Sequence, residues 1–324
     1  MFPVGSRLVV YRTVIAAAAF FVVAGGTTGA VGPENGVPAD LSVADTAARA
    51  VPPVIEGIPY STGAVLDVHR PPSAPGRTGP APVVVLVHGC CGDRSDLGKL
   101  AEAVSAAGAV VINADWAGID ADARFPDAFE DVACAVRFAR ARAASFGGDP
   151  TRVVLAGWSD GALAATVVAT GGDTFDAQRC RHPAASAKPD AVVGIAGFYG
   201  WPVPVPSRYA TARAQRFFGG SPLTAPRAWA RATPYSWLWP AQGPETVLLV
   251  GVTDPLVDDA RRYAAALRQF GHSVRLLEIP EAGDQLLISP RTTEGRTVVA
   301  EVLSVSGRVT GAGLTRWAGL EWSR

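Results

Sequence analysis

Residues 64–303 alternate between short apolar segments and longer segments with helical periodicity, and this alternation constrains the fold more than any other feature. The run Val83–Val87 is continuously apolar, which is typical of a strand buried on both faces of a sheet. Strands that alternate with helices imply a mostly parallel sheet with helices on both faces, so the sequence predicts an α/β fold. Strands are expected at 64–69, 83–87, 109–112, 153–156, 191–196, 247–250 and 274–279, and helices at 97–107, 129–144, 162–169, 259–270 and 297–303.

The composition excludes several classes of protein. The chain has 324 residues, 48% of them hydrophobic and 18% charged, so it can bury a sizeable core and is not expected to be disordered. Its 29 Lys and Arg balance 29 Asp and Glu. Without a basic excess we expect no nucleic-acid partner. No apolar window long enough to cross a bilayer follows residue 30, so no stable membrane span is expected once that segment is removed.

The first 30 residues have the pattern of a Sec-type signal peptide. Arg7 and Arg12 precede an apolar run at 14–24, and small residues suited to cleavage follow at 28–30. We therefore expect residues 1–30 to be cleaved on export, which gives a secreted or extracytoplasmic protein. The alternative is a signal anchor that is not cleaved.

Two further segments define the expected domain organisation. Residues 31–52 are small, polar and Pro- and Gly-bearing, which predicts a flexible linker in front of one domain at 53–324. Within that domain, residues 198–240 interrupt the strand and helix alternation and are rich in aromatic side chains and proline. We interpret this segment as a cap-like insertion. Its aromatic residues either cover the end of the sheet or line an acyl or aryl pocket.

Four cysteines bear on stability if the chain is exported to an oxidising compartment. Adjacent cysteines seldom bond to each other without strain, so we favour a disulfide between Cys134 and Cys180. Cys90 and Cys91 are then expected to be buried, unreactive packing residues. No CxxC pair is present, and we predict no metal site.

The segment Gly157–Gly161 reads Gly-Trp-Ser-Asp-Gly, a G-x-S-x-G motif. A predicted strand precedes it and a predicted helix begins at Ala162, which is the context that a nucleophile elbow requires. Such a turn presents the serine hydroxyl at the carboxyl edge of the sheet, next to a helix N-terminus that stabilises negative charge. We predict Ser159 as a catalytic nucleophile.

A second motif, His88-Gly-Cys-Cys-Gly, follows the strand Val83–Val87. A turn of this kind commonly supplies one backbone N–H group of an oxyanion hole, and the residue after the nucleophile supplies the other. We therefore predict Gly89, Cys90 and Asp160 as oxyanion-hole residues. His88 is expected to hold its loop by hydrogen bonds and not to exchange protons with a substrate.

With these motifs the chain resembles the α/β-hydrolases, in particular carboxylesterases and dienelactone hydrolases. The resemblance implies the α/β-hydrolase fold, no cofactor and a small-molecule ester as substrate. It also implies that Asp254, in the turn after a late strand, orients the catalytic base; the other interpretation of Asp254 is a helix N-cap. The segments that carry the resemblance are 66–71, 88–89, 146–150, 152–153, 157–161, 233–234 and 251–257.

The sequence departs from this family at the catalytic base. The family's histidine is expected in the turn after the strand 274–279, and Asp284 stands at that position. No histidine follows His272, which precedes that strand and so belongs to the opposite end of the sheet. His182 would approach Ser159 only if its loop folded back. Asp284 is therefore the third predicted catalytic residue, as a weak base beside Asp254.

These observations predict an exported serine hydrolase that acts on carboxylic esters through an acyl-enzyme on Ser159. The alternative is a catalytically impaired protein of the same fold that binds a ligand, because Asp284 replaces the expected histidine. The oligomeric state is not specified by the sequence.

Overall fold

The computed structural model describes residues 54–73, 79–119, 122–200, 208–239, 243–280 and 282–308. They form an eight-stranded sheet in the order β1-β2-β4-β3-β5-β6-β7-β8, in which β1 and β2 are antiparallel and β3 to β8 are parallel. The strands are β1 Val54–Ser61, β2 Ala64–His69, β3 Ala81–Val87, β4 Val110–Ala114, β5 Gly148–Trp158, β6 Ala191–Ile195, β7 Glu245–Gly251 and β8 Val274–Ile279.

In the described part of the chain, eight α-helices connect and cover these strands. The predicted alternation of strands and helices and the α/β-hydrolase type of sheet are confirmed. The helices are α1 Gly98–Ala106, α2 Asp127–Arg142, α3 Asp160–Gly171, α4 Arg208–Phe218, α5 Pro226–Arg231, α6 Val257–Gln269, α7 Asp284–Leu287 and α8 Thr293–Arg308.

The central strands are buried on both faces, as expected of parallel strands between helical layers. Alternate side chains of β3 separate into two core clusters: Val83, Val85 and Val87 pack with α2 and α3, while Val84 and Leu86 pack with α1 and α8. Because every parallel strand runs in the same direction, the turns that follow β3, β5, β7 and β8 emerge at one edge of the sheet. The predicted site residues follow these four strands.

Strand β1 is absent from the sequence-based expectation. All of its first six residues are at least partly exposed, with no regular alternation of buried and exposed positions, and it contains Pro59. Proline is compatible with an edge strand, and β1 is the outer strand of the sheet, with β2 as its neighbouring strand. A strand with so little buried surface leaves a weak apolar pattern in the sequence.

The insertion 198–240 contains α4 and α5, and several of its described aromatic side chains pack into the body of the domain. Phe217 and Phe218 are buried against Phe125, and Phe217 also contacts Phe129 of α2. The structure thus supports a packing role for these aromatics. Trp239 differs, since 80% of its surface is exposed.

The structure contains the disulfide Cys134–Cys180 that the sequence favoured, with a Cα–Cα distance of 5.0 Å. It joins α2 to the loop that follows α3, and that loop also pairs with Ser61 at the end of β1. For the other two cysteines the expectation of burial was wrong. Cys90 is only partly buried and Cys91 is exposed, because the chain turns outward at Cys91 through a φ of 65°.

The expected signal peptide, residues 1–30, and the expected linker, residues 31–52, lie outside the described residues. Among the residues that are described, none of the helices combines the length and the apolar character needed to cross a membrane.

Candidate active site

Ser159 lies on a sharp turn between β5 and α3. Its backbone has φ 56° and ψ −121°, a left-handed conformation that a non-glycine residue adopts only when its surroundings impose it. The Ser159 N–H donates to the Ile195 carbonyl on the neighbouring strand β6 at 2.9 Å. The side chain is partly exposed, so the hydroxyl is presented at the carboxyl edge of the sheet.

The two glycines of the motif make this turn possible because they have no Cβ atom. A Cβ at Gly157 would overlap the carbonyl oxygen of Gly161, and a Cβ at Gly161 would overlap the carbonyl oxygens of Val87 and His88. The elbow therefore packs backbone against backbone, both within itself and against the end of β3.

The loop after β3 lies directly against the nucleophile. A Cβ at Gly89 would stand 3.1 Å from the Ser159 Cβ and 3.1 Å from the Trp158 ring. On the other side, α3 begins at Asp160. The first N–H groups of a helix have no partner within the helix, so the Asp160 N–H is available to an anion. The structure thus brings Gly89 and Asp160 to Ser159, with Cys90 next in the loop.

His88 is held in place by both of its ring nitrogens. Its Nε2 accepts a hydrogen bond from the Trp116 backbone N–H at 3.3 Å, which leaves Nδ1 to donate to the Gly89 carbonyl at 2.7 Å. The Trp116 indole N–H in turn donates to the His88 carbonyl at 3.0 Å. The tautomer assigned by this network fixes the loop after β3, so the expected structural role of His88 is confirmed.

Asp254 occupies the turn after β7. It is buried, and its Oδ1 accepts a hydrogen bond from the Leu256 N–H at 2.7 Å. Helix α6 begins at Val257 with Leu256 at its N-cap position, so Asp254 lies two residues before the N-cap, and its side chain caps the turn that leads into the helix. Burial raises the pKa of the Asp254 carboxyl, and the charge of Asp284 raises it further.

Asp284 lies beside this turn at the start of the short helix α7. The turn that precedes it packs on the end of β7: a Cβ at Gly251 would overlap the Ala282 carbonyl oxygen, and Thr253 Oγ1 donates to that same oxygen at 3.1 Å. The Asp284 side chain is exposed, and its Oδ1 accepts from the Gln285 N–H at 2.8 Å. The structure therefore brings Asp254 and Asp284 together at the same edge as Ser159.

The other three histidines lie elsewhere. His69 pairs with Val111 near the amino ends of the parallel strands. His272 precedes β8, and its Nε2 bonds the Leu238 carbonyl at 2.9 Å. His182 packs on Phe138 of α2, with 5.6 Å between the ring centroids. Since the chain has four histidines in all, none is placed to accept the Ser159 proton.

One charged group at this edge was missed by the sequence analysis. Arg213 of α4 donates from Nη2 to Asp160 Oδ2 at 3.2 Å, and from Nη1 to Cys90 Sγ at 3.0 Å and Cys91 Sγ at 3.1 Å. Asp160 is buried, and burial raises its pKa to about 6 although Arg213 and the Cys90 thiol act in the opposite direction. Nothing in the sequence pattern around Arg213 distinguishes it from the other arginines of the insertion.

A mostly parallel sheet, a serine on a strained strand-to-helix turn and a backbone loop packed against that serine together define an α/β-hydrolase fold. The chain belongs to the BD-FAE family, whose model matches residues 66–266.

Known esterases are among the similar proteins. The curated relative Esterase LipC of Mycobacterium tuberculosis is 28% identical over 229 residues, which are 68% of this chain and 56% of LipC. This chain thus spans little more than half the length of that relative.

Solved esterases share the fold. The thermophilic esterase Est2 of Thermogutta terrifontis superposes with a TM-score of 0.60 at 16% identity, over 78% of this chain and 90% of Est2. Esterase B of Lactobacillus Rhamnosis (HN001) superposes with a TM-score of 0.68 at 15% identity, over 81% of this chain and 87% of Esterase B.

Proposed function

We propose that the protein hydrolyses small carboxylic esters through an acyl-enzyme on Ser159. The observation that carries the proposal is the strained backbone of Ser159, with the Gly89 loop packed against its Cβ on one side and the start of α3 on the other. Backbone strain of this kind persists where the surrounding structure holds a reactive group in position. Family membership and the named esterases that share the fold support the same reaction.

In this reaction Ser159 Oγ attacks the ester carbonyl carbon, and its proton passes to a carboxylate of the Asp254 and Asp284 pair. The carbonyl oxygen becomes an oxyanion that accepts hydrogen bonds from the N–H groups of Asp160 and of the loop at Gly89 and Cys90. The C–O bond then breaks, and the alcohol leaves with the proton. Water repeats the sequence on the acyl-enzyme, which releases the acid and restores Ser159.

The base limits the rate. A carboxylate is a much weaker base at neutral pH than an imidazole, because the ordinary pKa of a carboxyl group is about 4. Loss of the histidine from a serine-protease triad costs up to about 10⁶-fold in kcat, while about 10³- to 10⁴-fold over water remains from the oxyanion hole and binding. We therefore propose a slow esterase in which Asp284 takes the place of the histidine.

We also propose export of the mature chain. The N-terminal pattern of Arg7, Arg12 and an apolar run supports it, and so does the disulfide Cys134–Cys180, because disulfides persist in oxidising compartments.

The second candidate function is ligand binding without turnover, and it is favoured because the turn after β8 carries Asp284 in place of the expected histidine. A fluorophosphonate probe and hydrolysis of p-nitrophenyl acetate separate the two functions. Wild type that is labelled and active, with both signals lost in Ser159→Ala, supports the esterase. Wild type that behaves like Ser159→Ala in both assays contradicts the esterase and favours the binding protein.

A further inference from the structure

We infer that Arg213 is a positioning residue of the oxyanion hole. From the insertion it holds the two segments that form the hole in place, and its charge neutralises the carboxylate of Asp160. The inference rests on the proposed ester hydrolysis.

Arg213 contacts both halves of the predicted hole. Its Nη2 bonds Asp160, the residue that follows the nucleophile, and its Nη1 bonds the sulfurs of Cys90 and Cys91, in the loop after β3. These two segments are far apart in sequence and belong to different strand-to-helix connections. One planar guanidinium therefore fixes the spacing between them, and its fork geometry suits contacts in two directions.

The charge of Asp160 makes such a partner necessary. The Asp160 N–H faces the developing oxyanion, and its side chain is buried one residue from Ser159. An ionised carboxylate so close to the oxyanion opposes its formation, and in a desolvated site this repulsion is large. Among the described residues, the groups that act on the Asp160 carboxylate are Arg213 from α4 and the Cys90 thiol from the loop after β3.

The pH dependence follows from these contacts. With Arg213 present, ionised Asp160 forms a neutral pair at any working pH, because arginine remains protonated. Without Arg213, the pKa of Asp160 rises further, and above that pKa the carboxylate is uncompensated. The loss of rate in an Arg213 variant must therefore grow as Asp160 ionises.

The experiment compares kcat for p-nitrophenyl acetate between pH 5 and pH 9 in wild type, Arg213→Gln, Arg213→Lys, Asp160→Asn and Asp160→Asn/Arg213→Gln. We expect Arg213→Gln to lose at least about tenfold in kcat at pH 8.5 and much less at pH 5, with little change in KM. Arg213→Lys should keep the pH profile of wild type with a smaller loss, since it retains the charge. The double variant should recover the rate of Asp160→Asn at pH 8.5.

Three results are decisive against the inference. An Arg213→Gln rate equal to wild type, a loss that does not vary with pH, or a loss that Asp160→Asn does not relieve each overturns it. Thermal melts of all five proteins identify a variant that has failed to fold, and the Lys variant and the double variant then carry the comparison. A wild type with no turnover dependent on Ser159 overturns the proposed function as well, whereas normal turnover with an unaffected Arg213→Gln overturns the inference alone.

Discussion

At the scale of single residues, Asp284 decides how fast the site works. It stands beside Asp254 at the edge where the oxyanion loop and Ser159 also lie. Asp284→His would supply a base with a pKa near neutrality, so we expect hydrolysis of p-nitrophenyl acetate to rise by about 100-fold or more, with a new rise in rate near pH 6.5. Initial rates across the pH range measure this gain.

Two controls accompany that variant. Ser159→Ala in the Asp284→His protein should abolish the gain, and Asp284→Asn should fall below wild type because it removes the weak base. If wild type is already fast and shows a rise near pH 6.5, another histidine serves the site and the assignment of Asp284 is wrong.

Asp160 should make the stability of the fold depend on pH. Burial raises its folded pKa to about 6, above the ordinary value near 4, so the folded protein retains this proton where the unfolded chain has lost it. Its contribution to stability is therefore greatest below about pH 4 and is lost as pH rises to about 6. Between pH 4 and pH 7 we expect the unfolding free energy of wild type to fall by on the order of 2 kcal/mol relative to that of Asp160→Asn. Urea unfolding at the two pH values measures this difference. Parallel pH profiles for the two proteins would contradict the assignment.

At the scale of elements, aromatic packing holds helix α4 of the insertion against the rest of the domain. Phe217 is fully buried between Phe125 and Phe129. We expect Phe217→Ala to cost about 3–5 kcal/mol of unfolding free energy, because it leaves a cavity in this cluster. Trp239→Ala is the matched control, since that indole is 80% exposed and should cost little. Chemical denaturation measures the unfolding free energy of both variants. Equal losses in the two variants would contradict the packing role of Phe217.

The elements that the sequence predicted are those with strong internal periodicity. Strands such as β3 and β7 are buried on both faces and leave continuous apolar runs, so their order and the turns that follow them could be read directly. Strand β1 could not, because most of it is exposed and it lies at an edge. The same reasoning placed Ser159, Asp254 and Asp284 at one sheet edge, since all follow parallel strands.

Two features of the site could not be predicted in this way. The position of Arg213 depends on tertiary contacts, and the exposure of Cys91 accompanies a left-handed turn. Neither leaves a periodic pattern in the sequence.

At the scale of the whole molecule, the disulfide Cys134–Cys180 links helix α2 to the loop that follows α3. Cys134–Cys180 closes a span of 46 residues, for which a disulfide contributes about 3–4 kcal/mol. We expect Cys134→Ser/Cys180→Ser to melt at a lower temperature than wild type by a corresponding amount. Native wild type should contain two reactive or accessible thiols at most, and a count of four in the folded exported protein would exclude the disulfide.

The two glycines around Ser159 limit which substitutions related sequences can accept. Side chains at Gly157 and Gly161 would overlap backbone oxygens whether or not the protein turns over a substrate. Selection for folding alone therefore preserves both positions, even in descendants that have lost hydrolysis, whereas the hydroxyl of Ser159 is under no such constraint. In a saturation library scored only for soluble expression, both glycines should stay fixed while position 159 accepts other small residues. The two glycines of the motif therefore indicate only that the turn is folded, whereas the serine is the residue of the motif that indicates catalysis.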